Sequence, residues 1–170
     1  GFFLALLRKT SATEAGGNRK HKKGVREQPL RNASKLSGWL QNEADYKFYA
    51  PDELHVAAVR KSLYEDVQRL RNQLKTVWAG ILLAEAKGQK WVPQQELALS
   101  QALAPEAFPR VELSLDEALA YLRRDAITVD APHGYFIVTY QGRPLGFVNN
   151  LGARANNLYP PEWRIRKQLP

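Results

Sequence analysis

The stretch that decides the fold of this chain is Gly134–Arg166, GYFIVTYQGRPLGFVNNLGARANNLYPPEWRIR. Aromatic and β-branched residues at 135–140 and 145–148 flank the turn Gln141-Gly142-Arg143-Pro144, which predicts a β-hairpin. After Val148 we expect the chain to leave the sheet through an Asn-, Gly- and Arg-rich loop at 149–157 and to continue as an aromatic and basic tail. Amides, guanidinium groups and aromatic faces are the groups that grip single-stranded RNA, so this stretch predicts RNA binding.

Composition sets limits on the class of protein. The 170 residues can form one ordinary domain or two small ones. There is no Cys, which excludes disulfides, thiolate metal sites and a thiol nucleophile in this chain. There is no Met, so we expect Gly1 to belong to a longer or processed polypeptide. The three His residues lack metal-ligand spacing, and the apolar opening at 1–7 is far shorter than the roughly 20 residues that cross a bilayer.

The net charge of +8 is unevenly distributed. Residues 1–37 hold nine Lys and Arg against two Glu, a net of +7, whereas residues 38–136 hold eleven basic against fourteen acidic residues, a net of −3. Residues 137–170 return to +4, with five basic residues against one acidic residue. Positive charge at two places is typical of a chain that meets a polyanion at both. The basic run at 19–23 is open to a second interpretation, a solvated tether without a partner.

The first half of the chain divides into four parts. Residues 1–9 read as a buried strand, and residues 10–37 as a flexible basic linker because they are poor in apolar side chains. Alternation predicts strands at 45–50 and 54–58. The stripe Leu63, Val67, Leu70 and Leu74 falls at helical spacing and predicts one amphipathic helix.

The second half continues with strands and short helices. The apolar run 77–84 predicts a central strand, and the turn 87–90 leads back toward residues 91–92. Pro93 sits where a helix can start, with Glu96–Leu103 continuing it. A strand at 110–113 precedes a capping box, Ser114-Leu115-Asp116-Glu117, and we expect the helix that follows to bury Leu115, Ala118, Leu119 and Leu122. These elements predict an α+β fold around a small mixed β-barrel.

No catalytic constellation is present. The acidic pairs at 52–53, 65–66 and 116–117 lie at a turn or at helix starts, and no nucleophile and base stand at a recognisable spacing. We therefore expect a chain that is non-catalytic by itself, without a cofactor or metal. The aromatic residues within predicted strands are expected in the core: Phe48, Trp78, Phe136 and Phe147. Tyr159 and Trp163 are open to two roles, stacking on a base or packing down the tail, and the Asn residues could merely serve tight loops.

Two stretches resemble a known enzyme family. GFFLALLRK at 1–9 resembles the final strand of the catalytic domain in Sun/RsmF-type RNA cytosine-5 methyltransferases. The segment from Trp78 to Arg166 resembles the PUA-like C-terminal module of bacterial members, through AGILLAEAKGQKWVPQQELALSQAL, RVELSLDEALAYLRRD and the hairpin and tail. The resemblance implies residues 1–9 as a remnant of the catalytic domain, 10–37 as the flexible basic linker, 38–75 as a small α+β connecting subdomain and 76–170 as a PUA-like RNA-binding domain.

The resemblance implies a function as well. The parent would be a cytoplasmic enzyme that transfers a methyl group from S-adenosylmethionine to a cytosine of ribosomal RNA, and this chain, with no membrane contact, would recruit and orient that RNA for the missing catalytic domain. On residue chemistry we place the RNA-binding face on ten residues: Lys87, Lys90, Arg143, Asn149, Arg154, Asn156, Asn157, Tyr159, Arg164 and Arg166. The competing hypothesis is a protein–protein docking module that packs on the catalytic domain or a ribosomal protein. Exposure of Trp78 and Leu82 would favour it.

Overall fold

The computed structural model describes residues 30, 33–74, 76 and 78–167. These residues form two four-stranded sheets and three α-helices. In chain order the elements are β1 Tyr46–Tyr49, β2 His55–Arg60, α1 Tyr64–Gln73, β3 Ile81–Lys87, β4 Lys90–Pro93, α2 Gln95–Ala98, β5 Arg110–Glu112, α3 Leu115–Arg123, β6 Gly134–Tyr140, β7 Arg143–Asn150 and β8 Ala155–Asn157. The predicted strand at 1–9 and most of the predicted linker lie outside the described residues, so both stay predictions.

The first sheet has the strand order β1-β2-β3-β4, with every neighbouring pair antiparallel. The two predicted strands near 45–50 and 54–58 are confirmed as β1 and β2. β3 is a central strand as predicted and buries residues 82–84, but it begins at Ile81. Because β2 pairs with β3, this sheet continues across the division predicted between residues 75 and 76.

The second sheet has the order β5-β6-β7-β8, in which β5 runs parallel to β6 and the other pairs are antiparallel. The predicted hairpin is confirmed as β6 and β7. Its two-residue turn, Gln141–Gly142, has positive φ at both positions, which matches the right-handed twist of the strands. The predicted exit from the sheet at 149 is wrong, because residues 149–150 still belong to β7 and the chain turns back to form β8.

Three apolar clusters pack against the sheets in the described part of the chain, and the smallest of them lies around Tyr49 and Tyr64 on the first sheet. The largest cluster takes buried side chains from both sheets and from α2, and in it the rings of Phe108 and Phe147 meet edge to face with centroids 4.9 Å apart. The second cluster packs α3 on the other face of the second sheet, around the fully buried Tyr121. Since Phe136 and Val148 lie in the second cluster and Ile137 and Phe147 in the largest, the second sheet is buried on both faces.

Helix positions differ from the sequence prediction in several places. The capping box is confirmed, with Ser114 and Glu117 bonded reciprocally, but Leu115 is exposed and Tyr121 takes its place in the core. Pro93 ends β4 instead of starting a helix, and α2 is a single turn. The end of the predicted linker is structured, because residues 33–36 form a 3₁₀ turn that buries Leu36.

The apolar stripe of α1 is the largest departure. Helix α1 forms where it is predicted, but Leu63, Leu70 and Leu74 all lie exposed, and only Tyr64 is buried with Val67 partly covered. Trp78, predicted in the core, is 51% exposed, whereas Phe136 and Phe147 are buried as predicted and Phe48 packs partly buried against the largest cluster. An amphipathic pattern establishes a helix without establishing what covers its apolar side.

Candidate nucleic-acid interface

The four asparagines of β7 and β8 point to two different faces of the sheet. Asn150 is buried, and its Nδ2 donates to the carbonyl oxygens of Val129, Ala131 and Pro132 at 3.2, 2.6 and 3.1 Å. Its Oδ1 accepts from the backbone N–H of Gly152 at 3.1 Å. Both ends of this carboxamide are therefore used inside the fold, where they tie the segment before β6 to the β7–β8 turn.

Asn157 and Tyr159 also serve the fold. Asn157 Nδ2 donates to the Tyr121 carbonyl at 2.8 Å, and its Oδ1 accepts from the Tyr159 backbone N–H at 2.9 Å. The Tyr159 ring meets that of Tyr121 edge to face, with centroids 5.4 Å apart, and burial raises the pKa of the Tyr159 hydroxyl. Of the two roles open to Tyr159, the structure shows the packing role. Trp163 packs edge-on against Tyr159 but is half exposed.

Asn149 and Asn156 differ from these two. They stand directly opposite each other on β7 and β8, and Tyr135 of β6 stands opposite Asn149 on the other side. Directly paired residues project their side chains from the same face of a sheet. No hydrogen bond from any described residue engages either carboxamide, Asn156 is exposed, and Asn149 is partly exposed. The row Tyr135–Asn149–Asn156 thus presents an aromatic ring and two free amides.

The basic tail lies along the C-terminal end of α3. The Ile165 backbone N–H donates to the Leu122 carbonyl at 3.0 Å, so the exposed Arg164 and Arg166 flank the end of this helix. Arg124, which follows α3 in the left-handed conformation, reaches the Asn157 carbonyl at 3.4 Å. Helix α3, strand β8 and the tail therefore bring guanidinium groups to one region of the surface, and exposed Arg154 stands at the start of β8.

Three predicted residues lie elsewhere. Lys87 and Lys90 stand at the β3–β4 turn, where Lys87 pairs with Glu85 at 3.6 Å. Arg143 is the first residue of β7, next to the β6–β7 turn, and lies six residues along β7 from Asn149, or roughly 20 Å at the usual strand rise. The ten predicted residues therefore do not converge on a single groove.

A carboxylate near Arg143 reduces the attraction of this end of the hairpin for an anion. Glu112 accepts from the Thr139 hydroxyl at 2.5 Å and from the backbone N–H of Gly142 at 3.3 Å. These bonds, led by the one from Thr139, hold the pKa of the Glu112 carboxyl below its usual value. An ionised carboxylate beside the turn offsets the positive charge of Arg143.

Sequence reasoning missed three residues near these sites. Tyr135 was assigned only to the strand, although the hairpin register would have placed it beside Asn149. Arg124 was missed, although it follows directly on the predicted α3 helix in Leu122-Arg123-Arg124-Asp125. Lys35 donates to the Gln89 carbonyl at 3.4 Å, which adds a third lysine to the β3–β4 turn through a contact that no local pattern indicates.

The described residues do not fit a bound S-adenosylmethionine. The parallel strands β5 and β6 have α3 between them, but the entry into α3 is Leu113-Ser114 without a glycine. The Glu117 carboxylate already accepts from Ser114 N–H at 2.8 Å, and Ser114 Oγ from Glu117 N–H at 3.4 Å. The N–H groups of the N-cap Ser114 and of Glu117 are thereby occupied within the helix start.

Three acidic or histidine side chains that could share a metal ion are not found together in the described part of the chain. His55 and Asp52 form one pair, with Nδ1 2.8 Å from the carboxylate, but Asp52 also caps the backbone N–H groups of residues 54 and 55, which makes it part of a turn. No helix within the described ranges is both long and apolar enough to cross a membrane.

The second sheet, α3 and the packed tail are the part of the chain that matches a known family. The family described as the methyltransferase RsmF PUA domain matches residues 108–165, which contain β5 to β8 and α3. The predicted resemblance is thereby confirmed: this part of the chain is a PUA domain of the RsmF type.

Relatives extend the similarity over nearly the whole chain. It is 31% identical over 180 residues to the ribosomal RNA small subunit methyltransferase F of Citrobacter koseri, and 32% identical over 171 residues to the proteins of the same name in Salmonella heidelberg and Salmonella enteritidis. Each match covers 95% of this chain and 35% of the relative. The chain thus spans about a third of the length of these relatives.

Proposed function

We propose that this chain is the RNA-binding module of a ribosomal RNA cytosine-5 methyltransferase, and that it recruits and orients the RNA for a catalytic domain elsewhere in the parent protein. The observation that carries the proposal is the RsmF-type PUA domain, on which exposed guanidinium groups and free carboxamides lie around β8 and the tail. Methyl transfer from S-adenosylmethionine would occur in the part of the parent outside this chain. The module would work in the cytoplasm, where ribosomal RNA is found.

The proposed contact surface is narrower than the set predicted from sequence. It keeps Arg154, Arg164 and Arg166 as phosphate contacts and Asn149 and Asn156 as base contacts. The two amides lie on the face of the sheet away from α3 and the tail arginines lie on the α3 side, so the RNA would pass around the β8 edge of the sheet. Asn157 and Tyr159 are left out because their polar groups and ring are used inside the fold. Lys35, Lys87 and Lys90 would form a second, weaker phosphate contact. The PUA-like barrel predicted for this region stays part of the proposal, with the second sheet as its wall.

Replacing Arg154 and Arg164 together with Ala is expected to weaken RNA binding. Both guanidinium groups are exposed and no described residue bonds to them, so their removal takes away phosphate contacts without disturbing the fold. The slope of log affinity against log salt should become shallower by about 1 for each guanidinium–phosphate pair that the substitutions remove. Filter binding of the 170-residue chain to a small-subunit ribosomal RNA transcript at several salt concentrations measures this slope.

A matched control is the double variant K61A/R69A, which removes the same charge from the region of α1. Lys61 and Arg69 are exposed on the other half of the molecule, and this control should retain the wild-type slope. Equal loss of affinity in both double variants would show that only net charge matters and would remove the β8–tail surface from the account.

The docking hypothesis has support from another surface. The hypothesis expects both Trp78 and Leu82 to be exposed, and only Trp78 meets this expectation: Trp78 is 51% exposed and Leu82 is only 6% exposed. However, Leu63, Leu70 and Leu74, which lie just before, within and just after α1, are 51%, 50% and 61% exposed, and exposed apolar patches mark protein–protein interaction sites. The second candidate function is therefore docking of the α1 side on the catalytic domain, which is compatible with RNA binding on the opposite sheet.

Replacing Leu70 with Glu is expected to abolish association with the separately expressed remainder of the parent protein, because it places a charge in the apolar contact. Leu115→Glu on α3 is the control, since Leu115 is exposed to a similar degree, 54% against 50%, but lies on the PUA domain. Co-elution on size exclusion measures the association. If wild-type chain and remainder elute separately, or if both variants co-elute, the docking function is rejected.

A further inference from the structure

We propose that the row Tyr135–Asn149–Asn156 binds one unpaired base of the RNA, with the Tyr135 ring as the stacking surface and the two carboxamides reading the edge of the base. This inference rests on the proposed function, which requires RNA binding, and adds the position and the chemistry of a sequence-selective contact. It follows from the register of three adjacent strands, which brings these side chains side by side.

The four asparagines of β7 and β8 differ in what their amides contact. In β7 and β8 the residues alternate between faces, so Asn150 and Asn157 turn to the α3 side and use both ends of their amides in the fold. Asn149 and Asn156 turn to the other side, and no described residue occupies them. An unused amide carries two donors and an acceptor with two lone pairs, the groups that pair with the donor and acceptor edges of a nucleobase.

The row lies at the margin of the apolar core. The next row inward, Ile137 and Phe147, is buried in the largest cluster, and Tyr135 packs partly against that cluster. The packing fixes the Tyr135 ring while leaving part of it accessible, as a stacking platform requires. Burial raises the pKa of the Tyr135 hydroxyl, so it stays neutral beside a base.

A positive charge lies beside the row. Exposed Arg154 lies in the turn between β7 and β8, directly before the first residue of β8 and two residues before Asn156. A nucleotide whose base rests on the row would therefore have its phosphate within reach of a free guanidinium group. Base contacts and phosphate contacts would then come from one short segment, with distinct effects on selectivity and on salt dependence.

The test compares binding of the 170-residue chain to four homopolymers of about 12 nucleotides, oligo-A, oligo-C, oligo-G and oligo-U, a length that covers a typical single-strand site. The wild-type chain should prefer the best of them over the worst by roughly tenfold, as one stacked and hydrogen-bonded base provides. The variant N149A/N156A should lose this preference and keep the salt slope. Tyr135→Leu, which retains apolar packing, should weaken binding of all four, whereas Tyr135→Phe should retain it.

The outcomes separate this inference from the function on which it rests. The control Q73A/Q101A removes two exposed amides elsewhere and should leave the preference unchanged. If the wild-type chain binds all four oligomers equally, or if N149A/N156A keeps the preference, the base site is overturned while RNA binding stands. If the chain binds neither the oligomers nor a small-subunit ribosomal RNA transcript at low salt, both are overturned.

Discussion

Replacing Gly146 with Ala is expected to destabilise the protein strongly, although the substitution adds only one methyl group. Gly146 lies in β7 at φ +153°, a conformation that side chains rarely adopt. A Cβ built there overlaps Gln95 Oε1 and the Tyr121 hydroxyl oxygen. Both neighbours are buried and bonded, Gln95 to the Leu145 carbonyl at 2.6 Å and Tyr121 to the Phe147 carbonyl at 3.1 Å, so neither can move without breaking a hydrogen bond.

The expected decrease in the free energy of unfolding is about 2–5 kcal/mol, the sum of backbone strain and overpacking. Urea denaturation followed by fluorescence measures it. Gly88→Ala is the control, because Gly88 also has positive φ but a Cβ there meets nothing within 4 Å. The free energy of unfolding of Gly88→Ala should decrease by only about 1–2 kcal/mol, which is the cost of placing a side chain in the left-handed backbone conformation. Equal decreases in the two variants would mean that α2 and α3 do not close over Gly146 as described.

Replacing Asn150 with Ala is the second change with a large expected effect. It removes the donor that the buried Asn150 shares among three carbonyls and takes away the acceptor of the Gly152 N–H. Unsatisfied buried polar groups destabilise, so we expect the free energy of unfolding to fall by about 2–4 kcal/mol.

The adjacent residue supplies the comparison. The free energy of unfolding of Asn149→Ala is expected to stay within about 0.5 kcal/mol of the wild-type value, because the Asn149 amide makes no bond inside the described part of the chain. Comparison of the two unfolding curves would thus show that the Asn150 amide stabilises the fold and that the Asn149 amide does not. A comparable destabilisation in Asn149→Ala would show that its amide is engaged, and would remove it from the proposed base site.

The elements that the sequence predicts well are those fixed by local pattern. Alternation located β1, β2 and the β6–β7 hairpin, and Ser114 with Glu117 located the start of α3, because each signal lies within a few residues. Strand β8, Ala155-Asn156-Asn157, was missed because Asn and Ala are depleted in strands, and its pairing with β7 supplies the order that propensity does not.

In the candidate site, too, the local sequence predicts some features and strand pairing decides the others. Residue type correctly indicated that 149–157 is rich in polar groups, but only the register of β7 and β8 shows which amides are free. A shift of one residue would exchange the two faces, so the strand boundary had to be known before the roles of Asn149 and Asn150 could be told apart. Similarly, the leucines of α1 have a helical period that predicts a helix, but their exposure depends on a surface that the period does not describe.

The central claim is that RNA meets the β8–tail surface of the PUA domain. Ultraviolet cross-linking of the 170-residue chain to a small-subunit ribosomal RNA transcript, with adducts located by mass spectrometry, tests it most directly. The account predicts adducts at Tyr135 and within residues 149–167. Adducts confined to α1 and the first sheet, including Trp78, or no adducts at low ionic strength, would contradict it.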